Sequence, residues 1–413
     1  DAASVTTDVG GSVVIQGGRV STSGAQTYDD DVLLDNAGHA TTLNTTNAAV
    51  WLGGKLGNRT ATAEALTIHA GSGAVTLNGT VGDAVGTNNG PLGALAVNTT
   101  GVTTFVDTVD AASVTTDVGG SVVIQGGRVS TSGAQHYAEL VTLSVNTRLA
   151  ASAVRFDDGV TGAGSLHVLG ATTLNGGNVT THGAQRYSGA VTLLKDTVLN
   201  ADAAHVSLLD TLDGGYTLTI NTTGTTTFAG DVGALTPLAS LTTSAGGMVL
   251  IDAATVRTTG TQTFNEIVSL QSSTTFTGSV VTFNDAVVSA GDLNVVGAAV
   301  LNAGTISTSG AQNYGAITTL SRDTVLTAGA GGVRFVGALD GAYALTINTR
   351  GDTTFLDAVG ATHALTRLTT DASSAGRVLM SGGTVNTTGA QSYGEPVVLT
   401  TDTTVSSTGS GDI

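Results

Sequence analysis

Apolar residues in this chain alternate with polar ones over short runs and never keep the 3.6-residue period of an amphipathic helix. Runs such as 191–193, 218–220 and 378–380 are rich in Val, Leu, Ile and Thr, which favour strands. Gly, Asn, Asp and Ser interrupt the pattern about every six or seven residues, as turns require. The pattern therefore predicts an all-β chain of many short strands joined by tight turns.

These runs belong to a block of fourteen residues that occurs six times. Each copy starts with an aliphatic residue or Met, and has Val or Ile five positions later, Gln eleven positions later and Tyr or Phe thirteen positions later. Such repetition is typical of a solenoid, in which each unit buries its apolar face against the next. The six copies begin at Ile15, Ile124, Leu174, Ile251, Leu301 and Met380.

The spacing of the apolar anchors predicts the length of one coil. Phe156 follows Tyr137 by nineteen positions, Leu174 follows Phe156 by eighteen, and other anchors recur after twenty or twenty-one positions. We therefore predict a β-solenoid with about 19–21 residues and three short strands in each coil, since sequence periods on this scale are typical of solenoids. Residues 1–413 are predicted to form one continuous segment, with an irregular cassette at about 35–100 and alternating short and long cassettes from about residue 133.

The composition predicts a narrow interior. Hydrophobic residues make up 40% of the chain but aromatic residues only 4%, and 58 glycines against three prolines suit corners between ladder-forming strands. The Gln of the block is expected to hydrogen-bond corner backbone or to stack with other polar side chains. The apolar and aromatic positions of the repeat are expected to point into the lumen and stack in ladders, as at Ile124, Val129, Phe156, Phe228 and Phe355.

The net charge of the chain limits the classes of molecule that it can bind. The formal net charge is −17, and phosphate binding needs clustered cations, so we expect no nucleic acid partner. The chain has no cysteine, which excludes disulfides and a thiolate metal site. Asp greatly outnumbers Glu, a bias that fits turns. The four glutamates are Glu64, Glu139, Glu266 and Glu395.

A search for catalytic motifs finds none. The sequence contains no Gly-x-Ser-x-Gly, no Gly-x-x-x-x-Gly-Lys and no His-Glu-x-x-His. The seven histidines are scattered, and His136 and His182 occupy block positions that differ between copies. We therefore predict no enzymatic activity and no catalytic or cofactor-binding residue.

Two short segments are weak candidates for binding. Asp29, Asp30 and Asp31 form the densest acidic run and would be the place for calcium, which needs several oxygens converging on one point. A solvated turn is the alternative, because the matching residues after Tyr137 are Ala, Glu and Leu.

The second weak candidate is the tripeptide Arg350, Gly351 and Asp352, which has the form of an integrin-type adhesive motif at a predicted turn. Drift at an unconstrained turn is the alternative. An ice-binding face must also be weighed, but it requires Thr-x-Thr at the same place in successive coils, and the clearest Thr pairs recur with the cassettes instead.

Segments of the form Val-x-Thr-x-Gly-Ala-Gln-x-Tyr-x-x-x-Val-x-Leu, followed by Asp-Thr-x-Leu, resemble repeats of very large bacterial surface proteins; residues 187–199 are an instance of the second part. These repeats are similar to those of filamentous haemagglutinin and autotransporter-type adhesins. The resemblance implies a right-handed parallel β-helix. It also implies a structural role as an extracellular fibre, stalk or sheath component of a bacterial cell surface, with adhesion as a further activity.

Two rival functions stay open at this point. A β-helical polysaccharide-degrading enzyme would need a non-repeating groove with clustered carboxylates, and a ligand-binding array would take calcium or ice. The chain starts and stops within a coil, so we expect it to pair with further repeats of the same polypeptide or with identical subunits head to tail. We expect it to be secreted and surface-associated, with no transmembrane segment and no cofactor.

Overall fold

In a computed structural model the protein is all-β, and its parallel strands stack as a β-solenoid of about 20 turns with about three strands in each coil. The structure describes residues 2–82, 90–372, 375–409 and 411–413, and these residues contain no helix. The predicted fold class is therefore confirmed. The chain divides into two compact units, Asp1–His205 and Val206–Ile413. That residues 1–413 form one continuous segment stays a prediction.

Each turn of the first unit passes through three parallel sheets in a fixed order, which we call its first, second and third faces. The first face contains Val5–Thr7, Gln26–Tyr28, Val50–Leu52, Val75–Leu77, Val102–Phe105, Ser121–Ile124, Leu140–Leu143, Val160–Gly162, Asn178–Thr181 and Thr197–Asn200. The second face contains Ser12–Ile15, Asp31–Leu34, Leu56–Asn58, the start of Val109–Thr116, Arg128–Thr131, Thr147–Ala150, Leu166–Val168 and Gln185–Tyr187. The third face contains Arg19–Ser21, Thr41–Asn44, Leu66–Gly71, Leu92–Thr99, the end of Val109–Thr116, Gln135–Tyr137, Ala153–Phe156, Ala171–Leu174 and Val191–Leu193.

The second unit is built in the same way from three ladders of strands. One ladder contains Thr217–Asn221, Ser240–Thr243, Gln262–Phe264, Val280–Phe283, Ala298–Leu301, Thr318–Leu320, Leu339–Asp340, Thr384–Thr387 and Thr404–Ser407. Another contains Val206–Leu208, Thr225–Phe228, Met248–Ile251, Ile267–Leu270, Val287–Ser289, Thr305–Thr308, Thr324–Ala328, Ala344–Thr349, Arg367–Thr370 and Gln391–Tyr393. The third contains Leu212–Asp213, Thr255–Arg257, Thr274–Thr277, Leu293–Val295, Gln312–Tyr314, Val333–Phe335, Thr353–Phe355, Val378–Met380 and Val397–Leu399.

The length of a coil varies along the first unit. Val122 pairs with Val141, and Val141 pairs with Val160, so each of these coils is nineteen residues long. Val50 pairs with Val75, and Val75 pairs with Thr103, so the coils there are twenty-five and twenty-eight residues long. The longest coils therefore fall where the sequence repeat is least regular.

The interior of each unit is a narrow apolar core, because alternate residues of every strand point inward. Ile124, Val129, Phe156, Phe228 and Phe355 are all buried, with at most 1% of their surface exposed, as predicted. Aromatic rings stack where they occupy the same rung position in successive coils. The stacked pairs, with centroid distances of 5.0–5.7 Å, are Tyr137–Phe156, Phe264–Phe283, Tyr314–Phe335 and Phe335–Phe355.

Candidate functional site

The triple aspartate does not converge on one point. The indole Nε1 of Trp51 donates to Asp29 Oδ1 at 2.9 Å, and the backbone N–H of Lys55 donates to Asp31 Oδ1 at 2.7 Å. Asp30 is buried, and its Oδ1 accepts the backbone N–H of Gly11 at 2.6 Å. Each carboxylate thus accepts a hydrogen bond from a different residue of a neighbouring coil. Among the described residues, no three His, Cys, Asp or Glu side chains are grouped so that they could hold a metal ion.

The Arg-Gly-Asp tripeptide lies at a turn, as predicted, and its Asp is already engaged by the chain. The backbone N–H of Gly351 donates to Thr349 Oγ1 at 3.0 Å, which holds the turn closed. The backbone N–H of Arg377 donates to Asp352 Oδ1 at 3.0 Å, and the guanidinium of Arg377 lies 3.7 Å from Asp352 Oδ2. The Asp352 carboxylate is therefore used by the next coil. Adhesion through this tripeptide stays a prediction.

The Gln of the repeated block donates hydrogen bonds to backbone carbonyls inside the coil. Gln135 Nε2 donates to the backbone carbonyls of Val129 at 3.0 Å and Ala150 at 3.1 Å, and to Thr131 Oγ1 at 3.4 Å. In every copy, Nε2 donates to the carbonyl six residues earlier and to a carbonyl further along the chain. The predicted hydrogen bonds from the block Gln to backbone are therefore confirmed, but the accepting carbonyls belong to strands and not to the corners. The other five residues in this role, all buried, are Gln26, Gln185, Gln262, Gln312 and Gln391.

The block aromatic completes this arrangement when it is Tyr. Tyr137 Oη donates to Gln135 Oε1 at 3.2 Å, and the same bond forms in the copies that contain Tyr28, Tyr187, Tyr314 and Tyr393. The copy with Phe264 lacks the hydroxyl, and Gln262 Oε1 is buried there without a partner. Burial raises the pKa of Tyr137, so its hydroxyl keeps its proton as a donor.

A second recurring feature was missed by the sequence reasoning: the position two residues after the block aromatic is acidic in four copies. These side chains are buried, and each lies nineteen residues after a glycine in a turn of the preceding coil. A Cβ on Gly120 would lie 2.6 Å from Glu139 Oε2, and one on Gly376 would lie 2.6 Å from Glu395 Oε1. The acid and glycine pairs are Asp30 with Gly11, Glu139 with Gly120, Glu266 with Gly247 and Glu395 with Gly376.

The buried acid is present in the copies in which the turn nineteen residues earlier is wide. Four residues join Val109–Thr116 to Ser121–Ile124, and four join Ser240–Thr243 to Met248–Ile251. In the two copies without an acid, Gly189 and Ala316 take its place, and the turns nineteen residues earlier are only two residues long. The acidic side chain therefore occupies the space that a wide turn leaves inside the coil. This signal is visible in the sequence once the blocks are compared with the turns before them.

These buried carboxyl groups have unusual titration properties. Burial, with the nearby charge of Asp117, raises the pKa of Glu139 to about 7. Burial also raises the pKa of Glu266 to about 7, and burial together with Asp371 and Asp352 does the same for Glu395. Both carboxyl oxygens of Glu395 lack a hydrogen-bond partner within the described chain. The backbone N–H of Gly120 and the side chain of Thr116 lie near the Glu139 carboxyl and lower its pKa by less than burial raises it. Protonation relieves the cost of burying the charge.

One outward position on the first face of the first unit is Thr in most coils. In five successive coils this position holds Thr104, Val123, Thr142, Thr161 and Thr180. The outward position two residues earlier holds Val, Ser, Leu, Gly and Asn in these coils. A Thr-x-Thr array over successive coils is therefore missing from this stretch, and the ladder is one residue wide.

None of the residues that the structure describes forms a helix with the length and apolarity needed to cross a membrane. Comparison of the chain with family models, with curated proteins and with solved structures finds no match.

Proposed function

We propose that this chain is a structural segment of an extracellular fibre, stalk or sheath on a bacterial cell surface, with adhesion as a further activity. The observation that carries the proposal is the recurrence of one interior arrangement in all six block copies. In each copy the Gln side chain fastens backbone carbonyls, and most copies add the tyrosine hydroxyl. The repeated residues thus serve to hold coils together, which is the requirement of a mechanical element.

The proposal includes no enzymatic activity. A polysaccharide lyase or hydrolase needs carboxylates, or a carboxylate and a base, gathered at one open groove. Two histidines each meet an acid outside the coils: His136 contacts Asp157 at 2.6 Å, a carboxylate that Arg155 also contacts, and His182 contacts Asp202 at 2.6 Å. The carboxyl groups with raised pKa lie inside the coils, where a polymer cannot reach them. These features favour the structural role over the enzymatic one.

The partners we propose are further repeats of the same polypeptide, or identical subunits stacked head to tail. Every coil of a parallel solenoid presents strand N–H and C=O groups along the stacking direction. Another coil of the same geometry satisfies them, because the rung spacing is the same. Such contacts are heterologous and propagate without closing, so the product is a fibre.

Labelling of intact source cells tests this function. Antibodies raised against residues 90–205 and against residues 206–372 are applied to unpermeabilised cells and visualised with gold particles. We expect both antibodies to label the same extended surface structure. Labelling that appears only after the cells are permeabilised would contradict the surface role. Release of new reducing or unsaturated ends from acidic and neutral polysaccharides by the purified chain would contradict the non-enzymatic part.

A further inference from the structure

A line of cationic side chains runs along the second face of the first unit. Arg128 pairs in register with Arg148, Arg148 with His167, and His167 with Arg186. The four residues occupy the same outward position in four successive coils, at a spacing of about 4.8 Å per rung. We call Arg148, His167 and Arg186 the cationic ladder, because Arg128 is already bound by Asp110 through two contacts.

The ladder lacks compensating acids. Within the described chain, neither Arg148 nor Arg186 forms an ion pair, and both are exposed. His167 Nε2 lies 2.9 Å from Ser188 Oγ, a neutral partner. Partial burial, and then the charges of Arg186 and Arg148, lower the pKa of His167, so the two arginines carry the charge of the ladder at neutral pH. They lie on alternate rungs, about 9.6 Å apart, and a bound anion would screen one from the other.

The charge around the ladder also differs from the rest of the chain. Residues 128–195 together with Asp110, the partner of Arg128, contain five Lys or Arg and four Asp or Glu, a formal charge of +1, whereas the whole chain carries −17 and the remainder therefore −18. The outward neighbours two residues further along are Ser130, Ala150, Leu169 and Ser188, of which only Leu169 is large. A polymer lying along the face therefore meets the guanidinium groups beside a single bulky side chain. Arginine favours oxyanions, because its fork of N–H donors can bind two oxygens of a carboxylate or of a sulfate.

We propose that the cationic ladder binds a linear acidic polysaccharide, with its carboxylate or sulfate groups on Arg148 and Arg186 and its backbone along the stacking direction. The spacing of the ladder decides against nucleic acid. Duplex DNA carries one negative charge per about 1.7 Å, and two arginines on alternate rungs, about 9.6 Å apart, leave most phosphates facing an acidic chain. A polysaccharide with one charged group on each sugar or each second sugar is a sparser polyanion. This inference goes beyond the structural role and stands without it.

Binding of defined polymers to the purified chain tests the proposal. Polygalacturonate supplies carboxylates, dextran sulfate supplies sulfates, neutral dextran is the uncharged control, and duplex DNA represents the nucleic acid alternative. We expect binding of at least one acidic polysaccharide at about 50 mM salt, weakened steeply as salt is raised. The carboxylate and sulfate arms show which anion is preferred. Tighter binding of DNA than of either acidic polysaccharide, or no binding of either, would overturn the proposal.

A charge-matched pair of variants locates the site. Arg148→Gln/Arg186→Gln removes the ladder arginines, and Arg322→Gln/Arg334→Gln removes two exposed arginines of the second unit. Charge-assisted hydrogen bonds support an expected loss of about tenfold or more in affinity for the ladder variant, against less than about twofold for the control. Equal losses in both variants would mean unspecific attraction and would contradict the assignment.

A measurement on the unaltered chain keeps the test independent of folding. Bound polysaccharide is expected to protect Arg148 and Arg186 from an arginine-modifying reagent, with the modified sites read by mass spectrometry. Arg334 is expected to react at the same rate with and without the polymer. Protection of Arg334 but not of the ladder would place the binding surface elsewhere and overturn the proposal.

Discussion

The hydroxyl of Tyr137 donates a hydrogen bond to Oε1 of Gln135, two residues earlier on the same strand, at 3.2 Å inside the coil. This pair explains why Gln and Tyr keep a fixed spacing in the block. The amide uses its nitrogen for backbone carbonyls, and its oxygen then needs a donor that only Tyr supplies. In the copy with Phe264 the oxygen of Gln262 has no such donor. The exception allows a direct test of the pair.

We predict that Tyr187→Phe lowers the free energy of unfolding by about 1–3 kcal/mol, because it leaves Gln185 Oε1 buried without a donor. The reverse change at Phe264 needs a second substitution. Phe276 contacts Phe264 edge-on at 5.5 Å, and the corresponding residue in the other copies is Leu or Val. The double variant Phe264→Tyr/Phe276→Leu is therefore expected to have a higher free energy of unfolding than the two single changes predict when they are added. Denaturant unfolding of the full cycle measures this coupling, and additivity within about 0.3 kcal/mol would contradict it.

Phe228 is predicted to be a packing residue of the interior. It is fully buried and pairs in register with Ile251. Phe228→Ala is expected to cost about 3–5 kcal/mol. Val288→Ala is the matched control, because Val288 is 52% exposed and surface changes usually stay within about 0.5 kcal/mol. A loss below about 1 kcal/mol for Phe228→Ala, in the same denaturant assay, would show that the assigned register is wrong.

The glycine of a wide turn is predicted to be irreplaceable. A Cβ on Gly120 would lie 2.2 Å from the carbonyl oxygen of Gly101 and 2.6 Å from Glu139 Oε2. Gly120→Ala must therefore displace backbone, and we expect a loss of more than about 2 kcal/mol. Gly17→Ala serves as control, since a Cβ there meets no atom within 4 Å. Equal thermal midpoints for the two variants would contradict the close approach at Gly120.

Acid is predicted to stabilise the fold between about pH 8 and pH 5. The pKa of Glu139, of Glu266 and of Glu395 is raised to about 7, whereas an unfolded Glu titrates near about 4.3. The folded chain therefore binds these protons more tightly, and stability is fully present below the unfolded pKa and is lost as the pH rises through about 7. The lowered pKa of Asp35 and of Asp157 acts in the opposite sense, but only below about pH 4. The lowered pKa of His167 opposes the trend as the pH falls through about 6.5, and the three glutamates outnumber it.

The corresponding measurement compares thermal midpoints at the two pH values. The unaltered chain is expected to melt at a higher temperature at pH 5 than at pH 8. Glu139→Gln/Glu395→Gln is expected to remove at least about half of that difference, because a neutral amide replaces each titrating group. Asp402→Asn, at an exposed position, is expected to leave the difference unchanged. A midpoint that rises toward pH 8 would show that these carboxyl groups are not the buried acids described above.

The fold could be predicted from the sequence because the spacing of the apolar residues indicates directly which positions are buried. The nineteen-residue step between Val122, Val141 and Val160 in the structure is the step read from the anchors of the block. The structural role of Gln135 followed from its fixed position, but its place inside the coil did not. The buried acids did not follow either, because composition relates only the excess of Asp to turns and does not place the four Glu. Glu139 and Glu395 are buried, and only comparison with the turn nineteen residues earlier reveals why.

The cationic ladder was missed for a different reason. His167 follows Arg148, and Arg186 follows His167, by nineteen positions each, but none of the three occupies a fixed position of the block. The ladder forms because a block strand and strands from between blocks meet on the second face. A search for motifs cannot see such a line, since only the register of the coils places the three side chains together.

The central claim is that the first unit is a stack of parallel coils, one rung per coil. The chain has no cysteine, so spin labels can be placed at single sites. With one label at Thr180, partners at Thr104, Thr76 and Thr27 lie four, five and seven rungs away on the first face. Pulsed electron paramagnetic resonance is expected to give distances near about 19, 24 and 34 Å, a linear increase of about 4.8 Å per rung. Distances that do not increase in this order, or that cluster at one value, would contradict the stacked solenoid.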